Sequence, residues 1–467
     1  MPPADLHYLS LDEVARRLKA RKLSSVETTE AILDRIARMD PRLKAYATVA
    51  RERALADARA RDEESAAGRS RGPLHGVPIA VKDLCNTVGV PTAAGMTIHR
   101  KNVPSKDATV VARLKAAGAV ILGKLQMTEG AFGAHHPDIP APINPWNAVY
   151  WTGASSSGSG SATAAGLCFA SLGSDTGGSI RFPSAMNGLT GLKPTWGRVS
   201  RAGVFALADS LDHVGPMARS ALDAALMLGV IAGVDADDPT ASPSPVPDYA
   251  GAIGSGVRGM RIGKPANIRG LDDDSNAALD GATAALLAAG AQIADVALPA
   301  DFEQGARDWL PLCAVETGLA HEATYPSRAS EYGPVLAALI DLGRRLTATD
   351  YARLQGRRAA LTGELNKLLA SVDLLLVPVM GRAAPTIEYM AATGGDPEIR
   401  TQRLRYTAPF DMSGHPTLTL PGGMTADGVP VGFQIVGRAF DEATILAAGH
   451  AFQRASDWHL RRPPIDP

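Results

Sequence analysis

Apolar positions along the chain change their period several times, and each change predicts an element. Between residues 10 and 65 they recur at helical spacing. Ser24 and Glu27 form an S-x-x-E capping box, and Ile32, Leu33 and Ile36 follow on one face, so amphipathic helices are predicted there. Leu74 to Val81 (LHGVPIAV) is a short apolar run after Gly-Pro and reads as a buried strand. From Asp107 to Leu122 a helical pattern, ATVVARLKAAG, passes into a strand, AVILG, with Gly118 as the stop. Further strand-like runs, Asp373 to Pro378 and Gly432 to Val436, alternate with helices. Asp235 to Asp248 (DADDPTASPSPVPD) is rich in Pro, Asp and Ser and is the best candidate for a linker or surface loop. No fixed-period repeat is present. Helix and strand alternating over the whole length predict an α/β layered architecture.

Composition narrows the function classes. The chain has 467 residues, 45% hydrophobic and 20% charged, with a formal net charge of −1. No Lys/Arg block interleaved with aromatics occurs, so neither nucleic acid nor an anionic membrane surface is an expected partner. Cys85, Cys168 and Cys313 are far apart and in no metal-ligand spacing, which suits a reducing compartment. Charges interrupt the N-terminus where a signal peptide needs its apolar core. The longest apolar run, Ala224 to Val234, is too short to span a bilayer. A cytoplasmic location is expected.

The candidate chemistry lies between Asn144 and Gly215, a segment rich in Gly and Ser yet threaded with apolar residues. Gly153-Ala-Ser-Ser-Ser-Gly-Ser-Gly-Ser161 runs directly into ATAAGLCFASLG, which must be buried, so a flexible linker is disfavoured. A phosphate loop fails because Ser159 and Gly160 stand where Lys and Ser/Thr are required. A nucleophile elbow fails because Arg181 follows Ser179 where the last glycine belongs, and Ser157 does so after Ser155. His135 and His136 are adjacent, and no second histidine follows His321-Glu322 at the zinc spacing, so no metal site and no cofactor are predicted.

With Lys82 added, the pattern resembles the amidase signature family. GVPIAVKD (Gly76 to Asp83) resembles its lysine strand. GASSSGSGSATAAGL (Gly153 to Leu167) and GSDTGGSIRFPSAMNGLTGLKPTWGRVS (Gly173 to Ser200) resemble its Gly/Ser core. SLDHVGPMARS, GHPTLTLPGG and VPVGFQIVGR also match, so the resemblance spans nearly the whole chain. Ala154 and Ser157 depart from the family's glycines, and Ser157 adds a hydroxyl near the site.

The resemblance implies one amidase signature domain over 1–467, an α/β/α sandwich around a large mixed twisted sheet. N-terminal helices would occupy about 1–70 and the catalytic core about 71–220. The loop at about 235–248 follows, then a variable helical region covering the substrate at about 300–370, and a return to the sheet over about 371–467. The resemblance also assigns the nucleophile to Ser179, the bridging serine to Ser155 after a cis peptide, and the base to Lys82. The backbone N–H groups of Thr176, Gly177, Gly178 and Ser179 would form the oxyanion hole. Ser156 would join the lysine shell, Asp175 and Arg181 would brace the loop, and Asp83 reads as a solvated strand-end carboxylate.

Those residue types suit amide cleavage. A serine hydroxyl is a weak nucleophile without a base in reach, and a lysine is a base only when burial holds it neutral. The resemblance implies that substrate faces Glu129, Gly130, Ala131 and Phe132 on one side and a variable helical insertion around Cys313 to Tyr332 on the other. Both stretches offer apolar surface and little fixed positive charge, favouring a neutral or aromatic group over a dicarboxylate. The activity implied is a stand-alone hydrolase of small amides, anilides or carbamates, a monomer or homodimer. The alternative is the glutaminase subunit of a tRNA-dependent amidotransferase, which Gly197 to Pro216 resembles. Phe182, where that subfamily has a polar residue, favours the first.

Overall fold

Runs that are apolar on both faces fill the centre of the molecule: every side chain of Pro78–Lys82 and of Leu374–Pro378 is buried. The computed structural model describes residues 5–465. In chain order its strands are β1 Tyr46–Val49, β2 Pro78–Lys82, β3 Val120–Leu125, β4 Ala170–Asp175, β5 Thr190–Lys193 and β6 His213–Ala218. They continue as β7 Arg261–Pro265, β8 Gln292–Val296, β9 Leu374–Pro378, β10 Thr417–Met424 and β11 Pro430–Gly437. All eleven join one sheet, in the order β1-β3-β2-β4-β6-β5-β10-β11-β9-β7-β8. Strands β3, β2 and β4 are mutually parallel, as are β9, β7 and β8, and the other pairings are antiparallel. Parallel strands buried on both faces need helical cover on both sides, which their continuous apolar sequences already imply.

The alternation of β11 displays the two covers. Phe433 meets Phe452 of the helix Glu442–Arg454 at a ring-centroid distance of 4.9 Å. On the opposite face, a Cβ at Gly432 would touch Ala185, and Gln434 reaches Arg181, both in the helix Arg181–Met186. The result is the expected α/β/α sandwich around a mixed sheet.

The N-terminal reading holds with one correction. The helix Ser25–Leu43 opens with the capping box: Glu27 N donates to Ser24 Oγ at 3.0 Å and Ser24 N donates to Glu27 Oε2 at 3.1 Å. Within the stretch read as helical, however, Tyr46–Val49 forms β1, an edge strand paired with β3. Four residues are too few to impose a visible period. The segment 235–248 contains no strand or helix, yet it docks on the core. Ser200 Oγ donates to Asp235 at 2.5 Å, and Arg201 N donates to Asp238 at 2.7 Å. Among the described residues no helix is long and apolar enough to cross a membrane.

Candidate active site

Parallel strands end together, and whatever side chains stand at their carboxyl ends converge. Here Lys82 is the last residue of β2 and Asp175 the last of its neighbour β4. Lys82 has no exposed surface. Its Nζ lies 2.6 Å from Ser155 Oγ, 2.9 Å from Ser156 Oγ and 2.9 Å from Ser174 Oγ. Ser156 is thus placed beside Lys82, and Ser174 is a further partner that the motif does not mark. Burial lowers the amine's pKa to about 7, against a weaker upward pull from Asp175. Asp83 is not the solvated carboxylate that its strand-end position suggested. It is buried 3.4 Å from Lys124 Nζ, and its Oδ2 accepts from Ala93 N at 3.1 Å. The strand ends at Lys82 and the chain turns there, and the loop through Ala93 and Ala94 closes over Asp83.

The Ala154–Ser155 peptide is cis, as the resemblance implied, and the helix Ser157–Ala164 begins two residues later. Ser157 Oγ bonds His135 Nε2 at 3.0 Å. Ser156 N donates to Ser179 O at 3.3 Å, so the two serine segments lie side by side.

Asp175 holds the loop that follows it. Its carboxylate accepts from Gly178 N at 2.6 Å, Ile180 N at 2.8 Å and Arg181 N at 3.2 Å, and from the Arg181 guanidinium at 2.8 and 3.1 Å. Burial alone would raise this carboxyl's pKa, but Arg181 and the N–H donors outweigh it and hold it well below the carboxylate range. Arg181, itself fully buried, also contacts Asp411. Asp175 and Arg181 thus bond each other, and Asp175 bonds the loop that follows it.

The loop's carbonyls are also fixed. Trp309 Nε1 donates to Thr176 O at 2.6 Å and Thr407 Oγ1 donates to Gly177 O at 2.7 Å. Trp309, Thr407 and Asp411 are site residues that the sequence reading did not single out. With its carbonyls bonded outward, the loop leaves the N–H groups of Thr176, Gly177 and Ser179 without an acceptor among the described residues. The expectation for Gly178 needs correcting, because its N–H already donates to Asp175. Both glycines are required sterically. A Cβ at Gly177 would lie 2.6 Å from Trp309, and Gly178, at φ +132°, would place one 2.4 Å from Phe182.

Ser179 opens on a cavity of about 460 Å³, a volume suited to a small organic molecule. Its walls include Ala131, Phe132, Trp151, Phe182, Trp309 and Leu339. Phe132 and Trp309 stack with centroids 6.5 Å apart. Of the four residues expected to face substrate, Ala131 and Phe132 line the cavity and Glu129 and Gly130 do not. The Glu129 carboxylate turns away to accept from Gly333 N at 3.0 Å, and Gly130 N donates to Ala94 O at 3.0 Å. The covering helices contribute from either side of the predicted stretch. Trp309 and Leu310 precede it and Pro334 to Leu342 follow it, while Cys313 is buried against Thr317. A further wall, from Met390 to Leu404, lies outside both expected stretches. It brings in Arg400 and Arg403, so the expectation of little fixed positive charge is also corrected.

The chain is similar to known proteins over nearly its whole length. The family model described as Amidase matches residues 27–446. A Mycobacterium tuberculosis protein named "Putative amidase AmiD" is 54% identical over 98% of this chain and 96% of its own length. A glutamyl-tRNA(Gln) amidotransferase subunit from Geobacter sp. (strain M21) is 39% identical over 99% of this chain and 100% of its own. The crystal structure of the native peptide amidase from Stenotrophomonas maltophilia superposes with a TM-score of 0.85 at 30% identity, covering 99% of each chain. Shared sequence and shared fold over nearly the full length agree with the motifs, and the chain belongs to the amidase signature family of hydrolases.

Proposed function

We propose that the protein cleaves the C–N bond of small amides through an acyl-enzyme on Ser179, with Ser155 as proton relay and Lys82 as base. The substrates are aryl amides, anilides, primary amides and, by the same acyl chemistry, carbamates. The observation that carries this reading is the buried Lys82 amine with three hydroxyl partners.

A neutral amine has two N–H groups and one lone pair. Ser156 Oγ donates its own proton to Ser174 O at 3.1 Å, so toward Lys82 it accepts. With Ser174 Oγ taking the second N–H, the lone pair is left for the hydroxyl proton of Ser155. Ser155 Oγ then has a lone pair for the proton of Ser179 as that oxygen attacks the carbonyl carbon. Negative charge developing on the carbonyl oxygen meets the N–H groups of Thr176, Gly177 and Ser179. The proton held at Lys82 returns through Ser155 to the leaving nitrogen, so the C–N bond breaks with a neutral amine departing. Water then repeats the sequence on the ester, releasing the acid and Ser179.

The glutaminase reading is favoured by the 39% identity to the amidotransferase relative. The cavity argues against it, because no Asp or Glu among the described residues lines it to pair the α-ammonium of glutamine. Burying that charge unpaired costs several kcal/mol, on the order of a thousandfold in kcat/KM. The test compares kcat/KM for glutamine and for a neutral aryl amide on the isolated chain. The aryl amide should be turned over without a partner protein. Efficient glutamine hydrolysis with no turnover of any neutral amide or carbamate would reverse the assignment.

A further inference from the structure

The cavity wall is apolar over most of its area, yet the helix Pro397–Leu404 contributes two arginines to it, Arg400 and Arg403. Three residues apart, they share one face of that helix. Neither meets a carboxylate among the described residues. The nearby acids are engaged elsewhere: Glu398 accepts from Arg307 at 2.8 Å, and Asp396 caps the helix through the N–H groups of Glu398 and Ile399. Arg403 Nη1 has the thioether sulfur of Met390 at 3.6 Å, a weak acceptor for a charged donor.

Other buried arginines of this protein are satisfied differently. Arg181 lies between Asp175 and Asp411, and Arg198 lies 3.3 Å from Glu442. Half-buried Arg403 is instead pushed to lower pKa by its burial and by the charge of Arg400 beside it. Two like charges partly removed from water, with ten donors between them and no acid to receive them, leave an unfilled requirement on the wall of the cavity.

We propose that Arg400 and Arg403 form an anion subsite of the active-site cavity, and that the substrate is an amide carrying a carboxylate beyond an apolar segment. The proposal rests on Ser179 being the nucleophile of that cavity, and it names the substrate class for the same site. Planar guanidinium forks suit a carboxylate, which they can bind bidentately. An apolar stretch of substrate would lie along Phe132, Trp309 and Leu339, between the reacting carbonyl and the anionic end. With no acidic side chain on the wall, a monoanion is accepted and a zwitterion is not.

The test uses the 4-nitroanilides of succinic, glutaric, adipic and suberic acids, each with one free carboxylate, beside length-matched neutral acyl 4-nitroanilides. At one or more chain lengths the acid should exceed its neutral partner in kcat/KM by about tenfold or more, and added salt should shrink that ratio. In an Arg400→Gln/Arg403→Gln double variant the ratio should fall to about one or below. Neutral anilides preferred at every length, or a ratio that the double variant leaves intact, would overturn the subsite while leaving the hydrolase reading standing. Failure to release nitroaniline from any member would count against the hydrolase reading instead. Calorimetry on the Ser179→Ala protein then reads the subsite without turnover. The acids should bind about tenfold more tightly than their neutral partners, and equal binding would refute it.

Discussion

If Lys82 is the base, the pH dependence of kcat/KM should follow its protonation. Burial brings the amine to about 7, and only the neutral form has a lone pair for the Ser155 proton. About a tenth of the amine is neutral at pH 6 and about nine tenths at pH 8, so kcat/KM should rise about tenfold over that interval and level off above it. Initial rates of 4-nitroaniline release from a neutral anilide between pH 5.5 and 9.5 measure this directly. Lys82→Arg should be nearly inactive at every pH, because guanidinium does not give up its proton. Two other buried groups titrate nearby and must be separated: burial also takes Lys193 to about 7 and raises Asp212 to about 6. Lys193 Nζ donates to Pro194 O at 3.2 Å, away from the serines, so Lys193→Met should keep the limb. A flat profile between pH 6 and 8, or a limb lost with Lys193 and kept in a Lys82 variant, would refute the assignment.

The same amine has a thermodynamic signature of fixed sign. Its folded pKa of about 7 lies below the ordinary lysine value of 10.5, so between those pH values the unfolded chain binds the extra proton and this group's contribution to stability rises with pH, by at most about 1.4 kcal/mol per pH unit. Lys82→Met lacks the amine, so its stability relative to the wild type should improve as pH falls from 9 to 7; denaturant titrations that give a difference independent of pH would mean the amine is charged in the folded protein. Ser179→Ala should lower turnover by about a thousandfold or more while leaving the melting temperature close to that of the wild type, and a serine-directed phosphonate should label the native chain at Ser179. An active alanine variant or a label elsewhere would remove the nucleophile assignment. Trp309→Phe keeps the ring that stacks on Phe132 but loses the Nε1 donor to Thr176 O, worth about 1 kcal/mol, so kcat should fall several-fold with KM little changed. An effect on KM alone would make Trp309 a wall residue and not a support for the loop.

The parts of this protein that sequence exposes are those where local rules act. The capping box of Ser24 and Glu27, the apolar run into Lys82 and the stop at Gly118 each announce an element through neighbouring residues. The register of Lys82 with the two serine blocks became readable through family resemblance. Contacts made by distant, ordinary residues stay hidden. Trp309 and Thr407 reach the Gly177 loop from 133 and 230 positions away. A weak signal for the latter did exist: Thr407 and Asp411, four apart, are the polar residues of an otherwise apolar stretch, TAPFDM, next to the recognised GHPTLTLPGG block. Glu129 misled because sequence places a residue near a site without saying which way it faces. Its carboxylate satisfies the start of the helix Pro334–Arg345.

The site's two halves are held by different physics, and that division predicts how each can change. Lys82 and Asp175 terminate central strands whose backbone hydrogen bonds run into neighbours on both sides, so their positions follow from the sheet. Much of the cavity wall comes from the helices Phe302–Ala320, Pro334–Arg345 and Pro397–Leu404, which reach the cavity through side chains. Replacing Leu339 or Arg403 alters the shape or charge offered to a substrate without touching any bond that holds Lys82 against Ser155. Trp309 is the exception, since it both walls the cavity and fixes Thr176 O. Through it, the covering helix is coupled to the loop that carries Ser179, so on the proposed mechanism a change of specificity at that position should also cost turnover.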